Sequence, residues 1–281
     1  MAKSSALTAS LHTQEDGIVD HMRNDPLSIE KSRELWKLKS KKYPSAFDPD
    51  TLQKTMKIIR MVREHGFRIS DTRVLDIGCG TGIFTLPLAK EAQQATGVDF
   101  SEDMLARLEA TASENAIKNV STICLSWHDA DLKGLGFIKA FDSAWASMTM
   151  AVQSIADLEK MQNCARDFCV YVGWGRKREN RLKRQIFRSH GLELKPSDSA
   201  GRTLKNLELM GAKPKLQYFD ALWRWQGSID EAVDEMSAHV AAQGAEPDLV
   251  LIKKILSEYA PDGIVEHTTE VEQGLIIWQP E

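Results

Sequence analysis

The sequence predicts a doubly wound α/β fold, a mostly parallel sheet with helices on both faces. Three observations carry that expectation. Strand-length apolar runs alternate with helix-length amphipathic runs over residues 73–174. The first strand, "RVLDI", runs into "GCGTG", a turn with three glycines in five positions, and then into an apolar helical stretch. No apolar run approaches the ~20 residues that span a membrane, and 42% hydrophobic with 27% charged residues is the balance of a globular chain. At 281 residues the chain has room for one large α/β domain with extensions, or for two modest domains.

Residues 1–24 read as polar and loosely ordered. Asp25-Pro26 and Asp48-Pro49 each place a capping acid before a proline at the first helical position. The first helix carries Leu35, Trp36 and Leu38 and stops near Tyr43-Pro44. The second runs from Pro49 to about Glu64, with Leu52, Met56, Ile59 and Val62 on one face and Gly66 as its cap. Strands follow at Arg73–Ile77, Ala95–Phe100, Val120–Leu125, Phe141–Ser147 and Phe168–Trp174. Helices lie between them near Ile83–Ala92, Glu102–Asn115 and Ile155–Asp167, and the piece between the third and fourth strands is short. Beyond Gly175 come a basic helix, a helix near Arg202–Met210, a strand at Lys215–Trp225, and helices near Ile229–Val240 and Asp248–Tyr259. Extended segments around Ile264–Val271 and Gly274–Gln279 close the chain.

In an open α/β sheet ligands bind at the carboxyl ends of the strands. Gly78, Gly80 and Gly82 sit at such an end. Glycine lets the backbone turn sharply and meet a ligand with no Cβ in the way. The helix N-terminus then offers free N–H groups and the positive end of its dipole. A plain strand-to-helix turn needs one glycine, not three behind an aspartate. A phosphate loop would need GxxxxGK[ST], and no lysine follows. A dinucleotide fingerprint would need its third glycine at position 83, where the chain has Ile83.

The spacing D-x-G-x-G-x-G, from Asp76 to Gly82, resembles motif I of the class I S-adenosylmethionine-dependent methyltransferases. A second signal agrees: "TGVDFSEDML" ends the next strand in Asp99, 23 residues after Asp76, where an acid can accept both ribose hydroxyls. The resemblance implies a Rossmann-like sheet of seven strands with an antiparallel last strand, a helical N-terminal cap over residues 1–68, and a methyltransferase domain over 69–281. A helical lid insertion at about 226–262 completes that layout. It implies S-adenosylmethionine as cofactor and S-adenosylhomocysteine as product. The implied cofactor site comprises Asp76, Gly78, Cys79, Gly80, Thr81, Gly82, Asp99, Phe100, Ser101, Met104, Trp127, His128, Asp129, Ala146 and Ser147. In it the glycine loop meets the cofactor's carboxylate and Asp76 its amino group. Asp99 holds the ribose and Phe100 packs on the adenine. In "CLSWHDADL" either Ser126 stands where relatives carry an acid before Trp127, or Asp129 meets the adenine amino group. The motifs are specific over residues 70–175; on either side the resemblance is architectural.

A sulfonium makes the methyl group electrophilic already, so the chain must align a nucleophile and exclude water. The fourth strand ends in "AWASMTMAV". Enzymes that methylate amino groups of bases or of glutamine carry [ND]PP[YF] there, and nucleobase C5 enzymes a cysteine; this chain has Ser147, Met148, Thr149 and Met150. A small-molecule acceptor is the leading expectation, with Trp36, Tyr43, Met148, Thr149, Trp174 and Arg176 around it. His128 is the candidate base by position; His65 is expected in a helix C-terminal turn, where a cation is favoured, and His190 and His267 have no supporting pattern. From Arg176 to His190 seven Lys/Arg face one Glu, a net of +6 in a chain of net −4, with Arg176, Lys177 and Arg178 expected at a helix start that disfavours cations. That segment suits an anionic small substrate, or RNA phosphates. An RNA or tRNA methyltransferase and a cofactor-binding protein without turnover are the rival readings. The four cysteines form no CxxC pair and three stand in apolar strands, so reduced thiols, a cytoplasmic setting and no metal are expected. No membrane partner is expected, and the oligomeric state is open, a dimer included.

Overall fold

The computed structural model describes residues 36–37, 40, 43–194, 197–241 and 243–280. The segment 1–24, the Asp25-Pro26 cap, Leu35 and Leu38 lie outside the described residues. Trp36, Lys37 and Ser40 are helical. The ordered elements then run α1 (Pro49–Glu64), β1 (Arg73–Ile77), α2 (Thr85–Ala89), β2 (Gln94–Asp99), α3 (Glu102–Glu114), β3 (Val120–Cys124) and β4 (Phe141–Ser147). They continue as α4 (Ile155–Cys164), β5 (Ala165–Glu179), α5 (Arg181–Ser189), α6 (Ser199–Leu209), β6 (Lys215–Ser228), α7 (Ile229–Ala241), α8 (Leu249–Tyr259) and β7 (Ile264–Trp278).

Seven strands form one sheet in the order β3-β2-β1-β4-β5-β7-β6. The pairs β3–β2, β2–β1, β1–β4 and β4–β5 are parallel, and β7 is antiparallel to both β5 and β6. The central strands read as near-continuous apolar runs because both faces are covered. On one face Leu75, Ile77, Ala144 and Ala146 pack with Leu158, Met161 and Leu207 from α4 and α6. On the other Val74, Trp145 and Val172 pack with Ile58, Ile59 and Val62 of α1. A third cluster joins α5, α7 and α8 through Leu182, Phe187, Met236 and Leu256. The chain order reverses between β1 and β4, the switch point at which a doubly wound sheet opens a crevice.

Two expectations are corrected. The two terminal extended segments form one strand, β7, which pairs with β6 along the whole of β6's length. The basic helix starts five residues late. Arg176, Lys177 and Arg178 continue β5, because β7 extends past the parallel sheet and pairs with it there, Arg178 opposite Val271 and Glu179 opposite Glu270. Asn180 caps α5 instead, its side chain accepting from the Lys183 amide. Arg176 pairs with Glu272 at 3.3 Å and Lys177 with Glu270 at 3.0 Å, so β7 supplies part of the opposing charge.

Candidate functional site

A cavity of about 600 Å³ opens at the carboxyl ends of β1, β2, β3 and β4. Its wall begins with the glycine loop. Gly80 has φ +54°, and a Cβ there would point into open space, so the bare backbone faces the cavity. Gly82 has φ +81°, and a Cβ there would meet Leu108 Cγ at 2.7 Å; the glycine lets α3 pack against the loop.

Two buried carboxylates flank the loop. Asp99 accepts from the Gly80 amide at 2.9 Å and from the Ser101 amide at 2.9 Å. Burial pushes its carboxyl up, and the Ser101, Gly80 and Phe100 amides pull it back part of the way. Asp76 accepts from the Thr85 hydroxyl at 2.6 Å. Burial raises it to about 6, against the Thr85 bond, with the Asp99 charge adding to the rise. Burial, and then these two acids, raise the Cys79 thiol well above its ordinary range, so it stays a thiol.

The far wall carries the short helical turn Trp127–Asp129. Trp127 is both core and wall: it is 2% exposed, donates from Nε1 to the Asp157 carbonyl at 3.2 Å, and borders the cavity. Ser126 and Asp129 both reach the wall. His128 Nδ1 lies 3.2 Å from Asp157 Oδ1, and Asp157 Oδ2 caps α4 through the Ser154 amide at 2.9 Å. Burial opposes ionisation of Asp157, but the Ser154 hydroxyl, the Ser154 and Gln153 amides and His128 hold its carboxyl below the usual value.

Of the residues expected from sequence, Trp36, Tyr43, Asp76, Gly78, Cys79, Gly80, Asp99, Phe100, Met104, Trp127, His128, Asp129, Ser147, Met148 and Thr149 line this one cavity. Thr81, Gly82, Ser101 and Ala146 stand behind it. Thr81 donates to the Pro44 carbonyl at 2.9 Å, and Ser101 caps α3. Trp174 and Arg176 are corrected. Because Arg176 lies in a strand, it points to Glu272 and the Tyr218 ring, not the cavity. Trp174 packs behind the wall, 5.0 Å from Trp223. His190 has a structural place, its Nδ1 against the Ile186 carbonyl at 2.8 Å and its Nε2 accepting from the Asp248 amide at 3.0 Å.

Sequence reasoning missed the wall contributed by Thr51, Lys54, Ile58, Trp223, Arg224 and Gln273. No local motif marks them, since α1 and the paired strands β6 and β7 reach the cavity only through tertiary packing. Met148, at the end of β4, has φ +51°, unusual for a residue with a Cβ. It is held by its amide on the Val172 carbonyl at 2.8 Å and by Gln273 Nε2 at 3.1 Å from its sulfur.

Residues 74–169 match the family model described as a methyltransferase domain. Over those residues the chain is similar to methyltransferase domains. Among curated relatives, the 23S rRNA (uracil(1939)-C(5))-methyltransferase RlmD of Aeromonas salmonicida (strain A449) is 44% identical over 64 residues, 23% of this chain and 13% of that one. That of Hahella chejuensis (strain KCTC 2396) is 48% identical over 59 residues, 21% of this chain and 12% of that one. The chain thus matches about an eighth of those relatives' length. In fold it resembles a solved protein of Bacillus halodurans C-125, provisionally described as a methyltransferase, at 14% identity and TM-score 0.51, covering 80% of this chain and 99% of that one.

The residues present fit the cofactor. The bare backbone at Gly80, the two acids and the aromatic wall at Phe100 and Trp127 suit a ligand that carries an amino group, a ribose and a flat ring. Among the described residues no cluster of His, Cys, Asp and Glu could hold a metal, and no helix is long and apolar enough to cross a membrane.

Proposed function

We propose that the protein transfers a methyl group from S-adenosylmethionine to a small-molecule acceptor. The observation that carries this reading is the shared wall of the site. Trp36 and Tyr43 from the N-terminal segment and Trp223 from β6 wall the same cavity as the glycine loop. Its volume falls within the ~300–1,000 Å³ of small-ligand pockets.

When bound, the cofactor supplies a sulfonium-activated methyl group. The chain supplies position and dryness. The glycine loop from Gly78 to Gly82, bare of side chain at Gly80, would meet the cofactor's carboxylate, while the Gly80 amide itself holds Asp99 in place. Asp76 meets its ammonium group and Asp99 the ribose hydroxyls. Phe100 and Trp127 hold the adenine, with Ser126 or Asp129 at its amino group. Met148 and Ile58 give that part of the wall an apolar character, which would disfavour water beside the acceptor. His128 stays the candidate base, since a buried carboxylate on Nδ1 is the arrangement that orients an imidazole for that role.

The RlmD relatives favour RNA as a second reading. Against the C5 chemistry of those relatives, no cysteine stands from Ser147 to Ala151, and Cys79, among the described residues the one cysteine on the cavity wall, is held as a thiol. Incubation with methyl-labelled cofactor and cell extract, followed by separation of metabolites from RNA, tests the choice. Label in the metabolite fraction supports the proposal, and label confined to RNA overturns it.

A further inference from the structure

The acceptor's chemistry can be taken further, resting on the methyltransferase reading. Lys57 of α1 donates to the Asp220 carbonyl of β6 at 3.3 Å and lies 5.2 Å from the Phe219 ring centre, so α1 and β6 are neighbours. One turn before Lys57 stands Lys54, and four residues past Asp220 stands Arg224. Both line the cavity. Neither has an ionic partner among the described residues, whereas Arg176 and Lys177 each have a carboxylate of β7. The acids of the cavity, Asp76, Asp99, Asp129 and Asp157, all come from the β1–β3 ends and the start of α4. The wall formed by α1 and β6 is therefore cationic, and the opposite wall is anionic.

An aromatic surface adjoins these cations. Trp223 is 39% exposed and borders the cavity. Trp174 backs it at 5.0 Å, and the Arg178 guanidinium lies 4.8 Å from the Trp174 ring centre. This stack holds the Trp223 indole in place. Met150, 54% exposed, adds apolar surface. We infer that the acceptor is a flat apolar molecule bearing an anionic group, lying on Trp223 with its anion on Arg224 and Lys54.

Two dyes of similar shape test this on the full chain saturated with S-adenosylhomocysteine. 8-Anilinonaphthalene-1-sulfonate carries an anion, and N-phenyl-1-naphthylamine does not. The wild type should bind the sulfonate at least tenfold more tightly, and 1-naphthoate or 1-naphthyl phosphate should displace it. Arg224→Gln should weaken sulfonate binding about fivefold, and the double variant with Lys54→Gln about tenfold, as expected for partly exposed pairs. Arg224→Lys should restore most of the loss, and neutral-dye binding should not change. Equal affinity for both dyes overturns the anion site, as does failure of both competitors. Loss of S-adenosylhomocysteine affinity in either variant also overturns it, because the cation would then serve the cofactor's own carboxylate. An RNA hairpin that binds better than the sulfonate and loses affinity in Arg224→Gln overturns it as well. A wild type that takes up no S-adenosylhomocysteine in calorimetry overturns the methyltransferase reading itself. Uptake with no preference between dyes overturns the anion site alone.

Discussion

The wall nearest the glycine loop is drawn from Asp76 to Asp129, within three consecutive strand-loop units. The opposite wall is drawn from Trp36 to Gln273, from the N-terminal segment, α1, the end of β4 and the paired strands β6 and β7. The first is written in motifs, because a parallel strand delivers its next residues to the crevice by its own geometry. The second exists only after the domain has folded. On the function proposed above it is the wall that would meet the acceptor, so one part of the sequence can announce the cofactor while the acceptor stays silent.

The largest contrast should come from the loop itself. Gly80→Val places a branched side chain at φ +54° and fills the space toward the cavity. Cofactor affinity should fall about a hundredfold, from backbone strain together with lost volume. Asp99→Ala should cost at least about tenfold, since bonds to a charged group contribute roughly 1.5–3 kcal/mol each. Calorimetry with S-adenosylhomocysteine reads both. Neither change should affect dye binding to the opposite wall by more than about twofold. If both walls lose affinity together, the cavity is one coupled unit and the comparison fails.

The sequence made the sheet legible for the same reason that it made the loop legible. β1 and β4 lie at their expected residues because β-branched and aromatic runs there are bounded by turn residues on each side. The boundary at Arg176–Glu179 was not legible. A run of cations reads as a solvated helix face, and only the pairing with β7 makes it a strand. Trp174 was misplaced for a related reason, since an aromatic at a strand end says nothing about which face the neighbouring strands β7 and β6 cover. Trp223 and Arg224 lie in a strand that the sequence did show, but nothing local says that this strand reaches the cavity.

A smaller effect, about tenfold, should appear with pH. Asp76 has a folded-state pKa of about 6, above its ordinary 3.8. A raised carboxyl stabilises the fold in its protonated form, and that contribution is lost as pH rises from about 4 through 6. It amounts to about 3 kcal/mol. A cationic ligand reverses the sense, because it favours the ionised acid. Cofactor affinity should therefore be full above about pH 7 and fall about tenfold by pH 5. Asp76→Asn should flatten this profile and weaken binding at pH 7.5. Its apo form should also be the more stable one at that pH, measured by thermal unfolding. A wild-type affinity that stays level from pH 5 to 8 would show that Asp76 does not face a cation.

The smallest expected effect lies at the seam between the two walls. Tyr43 belongs to the N-terminal segment, yet it senses the cofactor end: burial, and then the charge of Asp99, raise its hydroxyl. Three bonds fasten the segment there. Arg107 Nη1 donates to the Tyr43 carbonyl at 2.8 Å and also to that of Ser40, and Thr81 donates to the Pro44 carbonyl at 2.9 Å. The partners are residues of the glycine loop and α3, so filling the cofactor site acts on the cap directly. Trp36 meets Tyr43 edge to face, with ring centres 6.1 Å apart. A segment held to the glycine loop and α3 by a few bonds is expected at the low-stability end of the structure. Hydrogen exchange over residues 36–48 should slow when S-adenosylhomocysteine binds. Thr81→Val removes one bond, worth about 1 kcal/mol, and should raise exchange there about fivefold in the free protein. Cofactor affinity should change less than threefold, because the Thr81 hydroxyl points to Pro44 rather than to the cavity. Exchange that is the same with and without ligand would make the cap a fixed part of the core, and acceptor entry would then have to come from the Trp223 side.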